Sequence, residues 1–323
     1  MNYHFVPMNN QGRECVENVI ITVLAALYGK EYLAAFCDSW GFQYEELSTS
    51  GVWLSDGWGS IERRAEEYLG MGISFLKVCN CLEAYEEVCR LVSTYGAVAF
   101  VLDIRFCPWH PWSNTDTVKE HTLLVNDVLP DGVLKCIDCQ YQITDIALGK
   151  SKFQSGYLGT IIRFVPEEKP LERKDWFAPI YQTITKLTRN GVHLTAFDEM
   201  RIFREKICSD NQFRGDINTS EEKIWNSPIL YKIKNLSIGR LQYGKYIDLL
   251  IELSGKNELH PVKKILVDSG NRWATIYSML LKAAVSGYTT KSRKRIYDMI
   301  GECASMEEAA CNYLKQKYNS AFM

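Results

Sequence analysis

The sequence predicts an α+β fold, with a helix and an antiparallel sheet in the first half and helices alone in the second. Three observations carry this. Residues Val16 to Tyr28 are apolar except for Glu17, Asn18 and Thr22, the texture of a helix buried nearly all round. Two strand-like runs, His121 to Leu129 and Val133 to Asp138, are joined by Pro130-Asp131-Gly132, a strong hairpin turn signal. Beyond Pro166-Glu167-Glu168-Lys169-Pro170 the apolar period is helical almost throughout. A helix-and-sheet domain over residues 1–166 and an α-helical domain over 171–323 follow.

Taken in order, the first helix runs from Cys15 to Tyr28. Ser39 to Gly59, rich in Gly, Ser, Trp and Tyr, reads as an aromatic loop region. A short charged helix at Ile61 to Leu69, a strand at Ile73 to Val78 and a helix at Leu82 to Tyr95 come next. Ala97 to Ile104 is a continuous apolar run of strand length, followed by the Pro- and Trp-rich loop Cys107 to Trp112. In the hairpin, facing residues have sequence numbers of constant sum, so a turn at Pro130-Asp131 sets Leu123 across from Asp138. His121 is two positions further along on the same face, where the His121 and Asp138 side chains can meet. A last strand, Tyr157 to Val165, completes an antiparallel sheet of about four or five strands. Helical periods then cover Ala178 to Thr188, Ala196 to Ile207, Lys245 to Leu253, Val262 to Val285 and Lys291 to Lys317.

Composition narrows the partners. The formal net charge of −2 over 323 residues leaves no cationic excess to neutralise phosphates, so a nucleic acid is not expected. The longest apolar run is too short to span a bilayer and is flanked by Glu14 and Glu17, so the chain reads as cytoplasmic with no membrane partner. Eleven cysteines fall far below the density of a disulfide scaffold. The close pairs Cys79-Asn80-Cys81 and Cys136-Ile137-Asp138-Cys139 lie in apolar, strand-like sequence rather than in zinc knuckles. No metal and no other cofactor is expected.

Cys15 opens the first helix, where unsatisfied backbone N–H groups and the helix dipole favour a thiolate. Packing alone would also place a cysteine there. Nucleophilic catalysis by cysteine further needs a base, and a group that fixes the base's tautomer. Of the five histidines, only His121 opens a core strand, and the hairpin register offers it Asp138. The expected trio is Cys15 as nucleophile, His121 as base and Asp138 as orienting carboxylate. Trp53, Trp58, Trp109 and Trp112 are positioned to wall a substrate pocket or to pack in the ordinary way. Asp103 ends a buried strand, where its charge requires a partner near the active face.

The segments Cys15 to Gly29, Val101-Leu102-Asp103 with its Pro-aromatic loop, Glu120-His121-Thr122-Leu123-Leu124-Val125 and Cys136-Ile137-Asp138 together resemble the N-terminal domain of the butirosin biosynthesis protein H family. That family is related in fold to papain-like and C39 cysteine peptidases. Gly270-Asn271-Arg272-Trp273 and its apolar helix are similar to the family's helical extension. The resemblance implies a papain-like catalytic domain, a Cys-bearing helix packed on an antiparallel sheet, that performs acyl transfer in natural-product and antibiotic biosynthesis. An acyl group would pass from the phosphopantetheine thioester of an acyl or peptidyl carrier protein to Cys15, and then to a small amine to form an amide. Papain-like enzymes hold an oxyanion-hole Gln six residues before the nucleophile. Here Gln11 is four before it, with Asn9 and Asn10 as competitors and the Cys15 backbone N–H as a second donor. Arg293, Lys294 and Arg295, in the one dense cationic run, would meet an acidic carrier protein or form a solvated helix face. A cysteine peptidase or amidase would use the same trio. A non-catalytic carrier-binding or zinc-stabilised module would use Cys15 as packing.

Overall fold

The computed structural model describes residues 3–9, 12, 14–47, 51–55, 59–167, 175–189, 194–209, 227–287 and 289–318. In chain order its elements are α1 (Cys15–Tyr28), β1 (Gln43–Leu47), β2 (Gly51–Ser55), α2 (Ile61–Leu69), β3 (Met71–Lys77), α3 (Cys81–Tyr95), β4 (Val98–Asp103), β5 (Glu120–Val128), β6 (Leu134–Asp138), β7 (Ile143–Leu148), α4 (Lys150–Gly156), β8 (Tyr157–Pro166), α5 (Ala178–Thr188), α6 (Ala196–Ser209), α7 (Pro228–Ser254), α8 (His260–Ser286) and α9 (Thr290–Tyr318). The fold is α+β, and the chain divides into two compact units, residues 1–35 with 60–174 and residues 36–59 with 175–323.

The first unit is built on a six-stranded antiparallel sheet in the order β3-β8-β4-β5-β6-β7. Helix α1 packs on β5, while α3 packs on β8, β5 and β4. Helix α3 starts where the Asn80 side chain accepts the Leu82 and Glu83 N–H groups, and stops at Gly96 with φ 80. Its Ala84, Val88 and Leu91 are buried in one cluster with Val98, Phe100 and Leu102 of β4, Leu123 and Val125 of β5, and Phe153 of α4. Phe100 and Phe153 meet edge to face at 4.9 Å. Every residue of β4 is buried, which is why its sequence is a continuous apolar run instead of an alternating one. Burying each large side chain of this cluster stabilises by about 1.5–3 kcal/mol.

The β5–β6 hairpin keeps the constant-sum register where it matters. Leu124 faces Ile137 and Val125 faces Cys136, and the pairing shifts by one residue only between Val125 and Asp127, toward the turn. Extended outward, the same register sets Leu123 against Asp138. The sheet has one more strand than the upper end of the expected range. Strand β7 is an edge strand, half exposed along its length, and Gln142 (φ 55) before it and Asp145 (φ 61) within it take left-handed backbone that masks its pattern.

In the second unit, β1 and β2 form a hairpin that pairs Tyr44 with Leu54. The segment read as an aromatic loop therefore carries a two-stranded sheet, and it clusters with the helical unit rather than within a domain over residues 1–166. The helix expected over Lys245 to Leu253 is the last third of α7, 27 residues long and begun by a proline in its first turn. Its first two turns and middle bury Arg240 and Gln242 beside Ile233, Leu236 and Tyr243, so no single apolar stripe advertises it. Helices α7 and α8 cross closely at Gly270, where an added Cβ would lie 2.9 Å from the Leu241 side chain and 3.1 Å from the Ser237 carbonyl oxygen. Among the described residues, Cys15–Phe36 is the one helical stretch long and apolar enough to cross a membrane, and half of its window is buried inside the protein.

Candidate active site

Helix α1 begins at Cys15 after the extended Glu14, whose side chain makes no capping bond. The positive end of the helix dipole at this terminus favours a negative charge on the sulfur. Cys15 is half-buried, and its Sγ lies 3.6 Å from Thr122 Oγ1, at the start of β5. Residue 121 precedes Thr122 on that strand. His121 is buried, and its Nε2 is 2.7 Å from Asp138 Oδ2 at the end of β6. With Nε2 committed to the carboxylate, Nδ1 is the nitrogen left to face Cys15. The register of one hairpin thus brings base and carboxylate together, and the packing of α1 on β5 brings the sulfur to them.

The electrostatics follow from this arrangement. Burial pushes the Cys15 thiol up, but the hydrogen bond and charge of His121, aided by Thr122, outweigh it and hold the thiol below its ordinary value. Burial lowers His121, yet its bonds to Asp138 and Cys15 win and push it up to about 9. Burial raises Asp138, and His121, Trp109 and the Tyr141 N–H together hold it below the usual carboxylate range. These directions agree on one state, a thiolate facing an imidazolium with an ionised carboxylate behind it.

Asp138 is fully satisfied. Oδ2 also accepts from Trp109 Nε1 at 2.7 Å, and Oδ1 accepts from the backbone N–H groups of Gln140 at 2.9 Å and Tyr141 at 3.1 Å. A carboxylate held by this many donors cannot rotate, and so fixes the imidazole. Asn18, buried on the first turn of α1, ties the nucleophile's segment to this turn. Its Oδ1 accepts from Gly12 N–H at 2.8 Å and its Nδ2 donates to Gln140 Oε1 at 2.6 Å. Gly12 approaches so closely that a Cβ there would lie 2.6 Å from Glu17 Cβ. A second histidine, His110, packs edge-on to His121 with ring centroids 5.3 Å apart and bonds Tyr141.

The structure brings Cys15, His121 and Asp138 together with Trp109, but gives Trp109 a different part from the one expected. It is a hydrogen-bond donor to the carboxylate, not simply a pocket wall. Asp103 has the partner that its buried charge requires. Its Oδ1 accepts the Arg105 N–H and its Oδ2 the Arg105 guanidinium at 2.8 Å, capping the turn after β4. Trp112 is 52% exposed, beneath the Lys119 ammonium at 4.2 Å, so it forms an outer surface. Gln11, Asn10, Trp58 and the side chain of Trp53 lie outside the described residues. Arg293, Lys294 and Arg295 sit in the first two turns of α9 in the second unit. There Arg272, Lys291, Lys294 and Arg295 line a groove of about 480 Å³ with Asp298 and Glu302, and Lys294 is paired with Asp298 at 2.8 Å.

Thr122, Asn18, Gln140, Tyr141 and His110 are functional candidates that sequence reasoning missed. Asn18 left a signal, as one of three polar breaks in an otherwise apolar helix. His110 left none, since a histidine between two prolines reads as loop. Among the described residues no group of three or more His, Cys, Asp or Glu side chains is placed to hold a metal ion. No protein-family model matches the sequence, and no curated protein matches it significantly.

Proposed function

We propose that the protein is a cysteine-dependent, amide-forming acyltransferase whose first unit is a papain-like catalytic domain, acting in the cytoplasm on an acyl or peptidyl carrier protein. The observation that carries this reading is the thiol of Cys15 held below its ordinary pKa against a His121 pushed up to about 9 and bonded to a buried Asp138. A cysteine kept only for packing needs no such partners, and two of the buried cysteines, Cys107 and Cys139, are pushed up to about 12 instead. A Cys-bearing helix laid on an antiparallel sheet that carries the histidine supports the papain-like reading. The closthioamide amide synthetase looks like a nearby example with this architecture.

In the proposed reaction the Cys15 thiolate attacks the thioester carbonyl. The new C–S bond forms as the bond to the phosphopantetheine sulfur breaks, and His121 supplies the proton that the departing thiolate takes. The amine then attacks the acyl-enzyme and gives its proton back to His121, and the amide leaves as the Cys15 thiolate reforms. The first step exchanges one thioester for another and the second runs downhill from thioester to amide, so neither requires ATP. Asp138 keeps the imidazole aligned through both proton transfers.

Intact-mass measurement tests the proposal, using the protein mixed with acyl-loaded carrier protein in the presence and absence of amines. The expected result is an acyl adduct on Cys15 that persists in buffer and is discharged by one amine with formation of its amide. Rapid loss of the adduct to water alone would identify a hydrolase. No adduct on a protein whose Cys15 is reduced and folded would overturn the catalytic reading.

A further inference from the structure

The turn joining β6 to β7, from Cys139 to Gln142, follows directly on Asp138 and is closed by Gln142 in left-handed backbone at φ 55, an uncommon conformation for a residue other than glycine. What this turn presents is Tyr141. Its backbone N–H is held by Asp138 Oδ1 at 3.1 Å, and its ring lies 6.1 Å from the His121 ring and 4.9 Å from that of His110. Its hydroxyl is 3.0 Å from His110 Nε2.

Which of the two donates in that last bond is decided at the other side of the imidazole. The backbone N–H of Trp112 donates to His110 Nδ1 at 3.1 Å, so Nδ1 carries a lone pair and a neutral His110 must carry its hydrogen on Nε2. His110 is buried, and burial and the charge of His121 push it down to about 4, so at neutral pH it is uncharged. Nε2–H therefore donates and the Tyr141 oxygen accepts. The phenol's own hydrogen is then directed away from His110, and no acceptor among the described residues takes it. Burial, with the charges of Asp138 and Cys15, pushes the Tyr141 phenol up, so it keeps that hydrogen. The same reasoning removes His110 from the list of bases, because both of its nitrogens are committed.

A donor that is oriented, protonated and unspent is what an oxyanion hole requires; Tyr141 offers one with its ring 6.1 Å from that of His121, the histidine that faces Cys15, and it is the one feature that the trio itself lacks. We propose that the Tyr141 hydroxyl donates a hydrogen bond to the acyl carbonyl oxygen as Cys15 attacks, and that His110 is the positioning residue that aims it. The inference rests on the acyl-transfer reading above. As the sulfur–carbon bond forms, the carbonyl π electrons move onto oxygen and Tyr141 stabilises that charge without giving up its proton. When the carbonyl reforms, the leaving sulfur departs and takes its proton from His121.

The test separates acylation, which develops an oxyanion, from alkylation, which does not. Cys15 acylation by p-nitrophenyl acetate is followed by nitrophenolate release and intact mass, alongside its alkylation by iodoacetamide, in wild type, Tyr141→Phe, His110→Phe and His110→Gln. Tyr141→Phe should slow acylation about 10²–10³-fold, the usual worth of one oxyanion donor, and leave alkylation within about twofold. His110→Phe should cost about tenfold in acylation, the worth of one neutral hydrogen bond. His110→Gln can still accept from the Trp112 N–H and donate to Tyr141, and should recover most of that loss. Unchanged acylation in Tyr141→Phe would overturn the assignment while leaving the acyl-transfer reading in place. A parallel loss of acylation and alkylation would overturn it in favour of a structural role. A wild-type Cys15 that alkylates but takes no acyl group would overturn the acyl-transfer reading itself, and this inference with it.

Discussion

The charge state of Cys15 is set by one neighbour. Burial opposes a thiolate there, and the His121 hydrogen bond and charge overcome it. In His121→Ala the burial remains and its main opponent is gone, so the thiol's pKa should rise past its ordinary 9.0. Iodoacetamide alkylation of Cys15 near pH 7 should then fall in the variant and recover only above about pH 9, whereas wild type stays reactive. Alkylation at an unchanged rate would show that the helix terminus alone holds the thiolate. In wild type, acyl transfer should rise as the Cys15 thiol ionises and decline as His121 loses its proton through about 9, since the leaving sulfur then has no donor. Asp138→Asn keeps the shape of the site and mis-sets the imidazole tautomer, with an expected loss of about 10³–10⁴-fold in turnover by comparison with other triads. These three residues were legible in the sequence because each rests on a local rule, a helix start for Cys15 and hairpin arithmetic for His121 and Asp138. His110 and Tyr141 were not, because they meet only through the approach of the Cys107 to Trp112 loop to the Cys139 to Gln142 turn, and no periodicity encodes that approach.

At the level of elements, the distance between nucleophile and carboxylate depends on how α1 is tied to the β6–β7 turn. Asn18 makes that tie with both ends of its amide, to Gly12 N–H and to Gln140 Oε1. Asn18→Leu fits the same buried space but leaves a backbone donor and an amide oxygen without these partners, which costs about 1–3 kcal/mol. The expected outcome is a lower denaturation midpoint together with slower Cys15 acylation, because the turn that bears Gln140 also supplies two of the donors to Asp138. A stability loss with undiminished acylation would confine Asn18 to a structural role. Elements with strong local signals were legible here: α2 and α5 fall on the expected residues, and β4 reads directly from its apolar run. Strand β7 and the β1–β2 hairpin were hidden for different reasons. The first is an edge strand interrupted by left-handed residues. The second consists of two five-residue strands in a segment rich in glycine, serine and aromatic residues, a composition shared with loops.

At the scale of the whole molecule, the two units are held by different means. The first unit's sheet is packed with apolar side chains, whereas the second centres on a fully buried ion pair, Glu307 with Arg240. Glu307 accepts from Arg240 at 3.0 and 2.9 Å, Ser269 at 2.5 Å, Trp40 at 2.8 Å and Trp273 at 3.3 Å. Removing only the carboxylate leaves a buried guanidinium without its counter-ion, so Glu307→Ala should cost about 3–5 kcal/mol in the helical unit, measurable by chemical denaturation. The double variant Arg240→Met with Glu307→Leu should cost less, since it removes both charges together. The cationic turn at the start of α9 is a surface feature and should behave in the opposite way. Lys294 is neutralised locally by Asp298, and Arg272 by Glu302, so any steering of an acidic carrier protein is shared among the remaining cations of the groove. Exposed charges of this kind change association rate more than chemistry, and their effect fades with salt. Replacing Arg293, Lys294 and Arg295 with Ala should therefore raise the apparent KM for an acyl-carrier protein at low ionic strength, lose that effect as salt is added, and spare turnover of a small pantetheine thioester. Equal loss with both substrates would indicate damage to the helical unit. No loss with either would make the turn a solvated helix start and move the search for the carrier's docking surface elsewhere.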